Sequence, residues 1–233
     1  MQQARRMGAP RAIALCHVFN GTVELQAGHW PEAEADLRQA IDLFRQIGAA
    51  AGEAVACQQL GVLQTVQGNL EEGLATLEDG VLAAKHALMR AHLLGRLHAA
   101  IARNRLLAGD LPSADHALSL GFTLTEEHGH CATCESLLLP VAVGIRLAQG
   151  DLAAAEDYGR RLDEAAARYG SRTWLATAAR TRGELAAARG EIDAAVACLQ
   201  EAYEGFQAAD NEYEAALCRK AMVRLQEQRV VAG

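Results

Sequence analysis

Apolar positions recur along this chain at the spacing of one helical face. The clearest case runs from Glu71 to Ala84, where Leu74, Leu77, Val81 and Leu82 share a stripe and Glu71, Glu72, Glu78 and Asp79 fall largely off it. Stretches of this kind predict helices at 9–27, 31–47, 50–67, 71–87, 89–108, 112–128, 131–149, 152–168, 172–189, 193–208 and 211–228. They are punctuated by a recurring turn at Gly28-His29-Trp30-Pro31, Gly68-Asn69-Leu70-Glu71, Gly109-Asp110-Leu111-Pro112, Gly150-Asp151-Leu152-Ala153 and Gly190-Glu191-Ile192-Asp193. These glycines stand 40, 41, 41 and 40 residues apart. So even an interval marks an array in which each helix pair buries its apolar face on its neighbours.

Each turn has the chemistry of a helix–turn–helix link. Glycine accepts the left-handed conformation that closes one helix, and Asp or Asn is suited to cap the next. Pro31 and Pro112 sit in a first helical turn, where a missing amide hydrogen costs little. A second punctuation, at Gly48, Leu88, Gly129, Gly170 and Asp210, separates one pair from the next. The array therefore reads as all-α, a right-handed solenoid of about five and a half repeats forming a single domain over 1–233.

Composition agrees with this and narrows the partners. Hydrophobic residues make up 51% of the chain but aromatic ones only 4%, a recipe for an alanine- and leucine-rich helical core. The net charge of −7 offers no footprint for nucleic acid or an anionic membrane. No apolar run reaches the roughly 18–20 residues of a membrane span. The stretch after Arg5 and Arg6 is broken by Pro10, Arg11 and His17, unlike a secretory signal. A cytoplasmic protein with mostly reduced, buried cysteines is expected.

The repeat resembles the tetratricopeptide family. Gly28, Trp30, Ala33, Leu37 and Ala40 reproduce the second half of that family's unit, as do Gly190, Ile192, Ala195, Leu199 and Ala202. Leu60-Gly61 matches its Leu-Gly pair and Gly183 the glycine alone. Gly73 and Gly80 depart from the pattern by replacing alanines, and Gly159 by replacing a large apolar residue. The long period resembles the C-terminal regions of bacterial maltose-activator-type and ATPase transcription regulators. That resemblance implies a scaffold or sensor with a concave groove lined by the first helix of each unit. Mapped onto this chain, the groove takes Leu15, Val18, Thr22 and Gln26, then Val55, Gln58, Val62 and Thr65, then Arg96, Ala99 and Arg103. Further along it takes Leu137, Gly144, Thr177, Arg180 and Glu184. Gln58, Arg96, Arg103, Thr177, Arg180 and Glu184 are its candidate ligand contacts, the arginines suiting an acidic and apolar peptide or an anionic small molecule.

Chemistry is sparse. Phosphate loops, nucleophile elbows, His-Glu-x-x-His helices and dinucleotide fingerprints are all missing, so no enzyme activity and no cofactor are expected. One cluster stands outside the repeat: His128, His130, Cys131 and Cys134 between the sixth and seventh helices. Cys-x-x-Cys is a minimal chelate or redox pair, and two imidazoles complete a Cys₂His₂ set for zinc. Wrapping four ligands from seven residues is awkward, and the two thiols could equally pack as small hydrophobes. The remaining histidines, including His92, show no repeated spacing and read as surface or packing residues.

The leading expectation is a non-enzymatic interaction or effector-sensing module of a bacterial regulator, binding a protein segment, peptide or small molecule. The alternative is a metal- or redox-responsive sensor built on the His128–Cys134 cluster. A structural array that self-associates is a third class.

Overall fold

In the computed structural model the described residues are 8–129 and 131–232, with side chains described as far as Arg229. They form eleven α-helices and no strand: α1 (Pro10–Ala27), α2 (Trp30–Gln46), α3 (Ala50–Val66), α4 (Leu70–Ala84), α5 (Arg90–Leu107), α6 (Leu111–Glu127), α7 (Ala132–Ala148), α8 (Leu152–Tyr169), α9 (Arg172–Ala188), α10 (Ile192–Gln207) and α11 (Glu212–Ala232). Most ends fall within a residue or two of the periodicity.

The recurring turn has one geometry throughout. In each, the residue after the glycine donates its N–H to the carbonyl five positions back, as in Asn69 to Gln64 and Asp110 to Arg105, all at 2.9 Å. This six-to-one bond needs a left-handed residue just before it, and Gly68 supplies φ of 88°. Asp110 and Asp151 cap the next helix by accepting from Ser113 N–H at 3.2 Å and Ala154 N–H at 3.1 Å. Asn69, expected to do the same, makes no such side-chain bond.

Helices within a repeat approach closely because a small residue faces a leucine 16 positions on. A Cβ added to Gly61 would stand 2.5 Å from Leu77 Cγ and 2.9 Å from Gly73 O. One added to Gly183 would stand 2.9 Å from Leu199 Cγ and 3.1 Å from Ala195 O. Gly21 meets Leu37 and Ala33 in the same way. Ala33 and Ala195 are fully buried. Where Gly159 breaks the pattern, Leu185 Cδ1 lies 2.7 Å from its missing Cβ, and Leu185 joins Val143 and Ala155 in one cluster.

Contacts divide the chain into two compact units. The first takes the described residues up to Leu25 with His29–Cys134, and the second takes Gln26–Gly28 with the described residues from Glu135 on. The first is built around Leu37, Phe44, Leu60 and Leu63, with Trp30 half-buried against them as the wedge. A further cluster there joins Leu77, Leu93 and Leu97. The second gathers Phe206 with Ala176, Ala179, Ala202 and Cys218, and Trp174 packs edge-on against Tyr169 at 5.2 Å.

Two features differ from the sequence pattern. The buried face of α4 is Gly73, Leu77, Gly80 and Ala84, whereas Leu82 is 59% exposed. The close approaches at Gly73 and Gly80 centre the contact face on Leu77 and the small residues and leave Leu82 at its outer edge. The same helix stops at Ala84 instead of 87, and residues 85–89 run in turns that leave Leu88 and Met89 exposed.

Candidate functional site

Two open cavities of the first unit meet at the 85–89 turns, since Ala87, Leu88 and Met89 line both. The larger, of about 630 Å³, lies among Leu15, Val18, Phe19, Phe44, Val55, Leu88 and Met89. Phe19 is 67% exposed, and Leu88 projects fully into solvent. Among the described residues of its lining, Arg11 and His86 are the charged and titratable groups and none is a carboxylate.

The second cavity, of about 600 Å³, contains the chemistry. His92 enters from the first turn of α5, Cys131 from the residue before α7, and Cys134 from the first turn of α7. His92 Nδ1 lies 3.1 Å from Cys131 Sγ and 3.4 Å from Cys134 Sγ. All three ligand atoms fall within 4.8 Å of one another. Cys134 is buried and Cys131 partly open. Gly95 leaves room for the deeper sulfur, since a Cβ there would stand 3.5 Å from it.

The Cys131 thiol differs in electrostatics from the buried Cys57 and Cys218. Burial alone would push the Cys131 thiol up, but hydrogen bonds from Thr133, the Cys134 thiol and N–H, and His92 outweigh it and bring it to about 6. Burial dominates at Cys57, pushed up to about 12, and at Cys218, pushed up to about 11. Arg96, one turn after His92, has its pKa lowered by burial, which the nearby Cys134 and Cys131 partly offset.

The structure thus assembles a cluster that the local sequence showed only in part. His128 lines the cavity, but its Nδ1 lies 3.2 Å from Leu124 O and it is not among the three converging donors. His130 lies outside the described residues. His92, read from sequence as a packing residue, takes the nitrogen position.

The groove candidates have varied fates. Gln58 is buried and accepts from Arg96 Nε at 3.1 Å. Thr65 is buried too, accepting from Asn104 Nδ2 at 2.9 Å, and Val18 and Ala99 are also interior. These face inward because neighbouring first helices pack together, as α3 does against α5. Arg103 is half-buried. In the second unit, Arg180 pairs with Glu214 and stands 3.5 Å from Glu184. Burial pulls the Arg180 pKa down, and those two carboxylates more than reverse it. Thr177 donates to Thr173 O at 2.8 Å.

A family model described as the MalT-like TPR region matches residues 10–231. No curated protein matches the sequence. Among solved structures, a Rap protein complexed with Competence and Sporulation Factor superposes with a TM-score of 0.63 at 14% identity, covering 92% of this chain and 64% of that one. BtubC (BKLC) from P. vanneervenii superposes with a TM-score of 0.55 at 13% identity, covering 89% of this chain and 92% of that one. At such identities the likeness is one of fold.

Proposed function

The chain belongs to the MalT-like tetratricopeptide-repeat family, and from that premise we propose that it is a binding module of a regulator, without catalysis of its own. Its occupant is a peptide or protein segment with apolar anchors and acidic flanks, seated in the cavity beside Phe19, Leu88 and Met89. The carrying observation is that these large apolar side chains stand in solvent around a concave site, where isolated surface hydrophobes would need no explanation. Arg11 and His86 without a facing carboxylate give the lining a bias toward acidic partners. At about 630 Å³ the cavity has the size of a ligand site. The Rap likeness supports the reading, because that repeat protein was solved with a bound factor. Nucleic acid is a poor partner for a chain of net charge −7. No helix among the described residues is long and apolar enough to cross a membrane.

Selection of peptides from a random displayed library against the immobilised protein tests this. Enriched sequences should carry an aromatic or aliphatic pair with nearby Asp or Glu, and Phe19→Asp or Leu88→Asp should weaken them at least tenfold. Binders indifferent to both substitutions would contradict the assignment. A small anionic effector in the same cavity would appear as peptide-independent thermal stabilisation lost in Arg11→Ala.

A further inference from the structure

We propose that His92, Cys131 and Cys134 form a three-donor site for a thiophilic divalent cation of the zinc class, its fourth position facing the cavity. This inference is independent of the apolar cavity and its occupant.

The donor set fits the cation in type, number and spacing. A thiolate pair with one imidazole is a borderline-soft set, the kind that holds zinc. Metal–nitrogen bonds of about 2.0–2.1 Å and metal–sulfur bonds of about 2.3 Å, at tetrahedral angles, place N and S about 3.6 Å apart. Here the two N to S separations are 3.1 and 3.4 Å. An opening of a few tenths of an ångström admits the ion.

Chain topology removes the obstacle seen in the sequence. The ligands come from two segments, with His92 39 residues before Cys131 and 42 before Cys134. The Cys-x-x-Cys pair therefore need not close the tetrahedron within its own loop. An outer group is also in place: Thr133 Oγ1 lies 3.2 Å from Cys131 Sγ, where its hydroxyl can donate to the thiolate. Both sulfurs sit at the N-terminus of α7, where the helix dipole favours thiolate. On binding, each thiol proton leaves to solvent as its sulfur–metal bond forms, and water or an exogenous donor from the cavity completes the shell.

Anaerobic titration of the reduced full chain with Co²⁺, a spectroscopic stand-in for zinc, decides the matter. The expected result is one equivalent bound, with sulfur-to-metal charge-transfer absorption and the intense visible bands of tetrahedral cobalt, both removed by added Zn²⁺. Cys131→Ser and Cys134→Ser should each reduce the charge-transfer band, and His92→Ala should weaken affinity at least tenfold. Cys16→Ser should change nothing. His92→Gln replaces His92→Ala should circular dichroism show that variant unfolded. Absence of cobalt absorption at one equivalent, or affinity unchanged on replacing His92, would overturn the proposal. So would thiols that close to a disulfide in air while the reduced protein takes up no metal.

Discussion

Asn104 donates through Nδ2 to Thr65 Oγ1 at 2.9 Å and to Leu70 O at 3.0 Å, so one buried amide ties α5 to both helices of the preceding repeat. Thr65 in turn donates to Gly61 O at 2.7 Å. Such a bridge is most costly when half of it is removed, because the remaining polar atoms stay buried without partners. Asn104→Leu should destabilise the first unit by about 2 kcal/mol, and Thr65→Val by less, since Asn104 keeps Leu70 O. Urea unfolding of the two variants checks the order; equal and negligible effects would mean the bridge is idle.

Gly61 tests the close approach within a repeat. Alanine is the better helix former by about 1 kcal/mol, but its Cβ would stand 2.5 Å from Leu77 Cγ and 2.9 Å from the Gly73 carbonyl. Overpacking of this kind costs about 1–3 kcal/mol, and backbone cannot yield as a flexible side chain can. Gly61→Ala should therefore be destabilising despite its propensity. In Leu77→Ala the added penalty of Gly61→Ala should shrink, and a thermal double-mutant cycle measures that coupling. Additive effects would place the two residues out of contact.

The turns were legible because a left-handed glycine leaves a local signature, repeated five times at nearly equal spacing and joined at two of them by an Asp cap. The His92, Cys131 and Cys134 cluster was not, because His92 and Cys131 are neighbours only through stacking. A signal existed in the period itself: residues 38 to 42 apart meet across repeats, as Gln58 meets Arg96, Thr65 meets Asn104 and His92 meets Cys134. Counting back about one period from Cys131 reaches His92. Helix α4 misled for a different reason. Its apolar residues exceed what its small contact face can bury, so Leu82 is left outside and lines another cavity with His98 and Leu120.

Arg180 belongs to the second unit's own packing. Its side chain and that of Glu214 are 16% and 15% exposed, and they form an ion pair. Loss of one partner leaves a largely buried charge, so Glu214→Gln should lower stability by about 1.5–3 kcal/mol. Denaturant unfolding followed by circular dichroism reads this directly. A variant as stable as the parent would release Arg180 to act as a ligand contact.

Cys57 and Cys218 carry a pH signature. Burial raises their thiols from 9.0 to about 12 and about 11, so the folded state favours the protonated form. Their contribution is fully present below about pH 9 and is lost as pH rises toward 11 and 12. Melting temperature should fall over that range, and Cys57→Ala should flatten the fall. An identical alkaline profile in the variant would exclude Cys57 as a source.

Backbone hydrogen exchange on the complex with a library-selected peptide shows whether the cavity beside Phe19, Leu88 and Met89 is the one occupied. Protection should concentrate in the part of α1 that carries Leu15 and Phe19, in residues 48–55, and in the 86–93 segment, and it should vanish in Phe19→Asp. Protection confined to other helices, with the cavity segments exchanging as in the free protein, would rule that cavity out as the binding site.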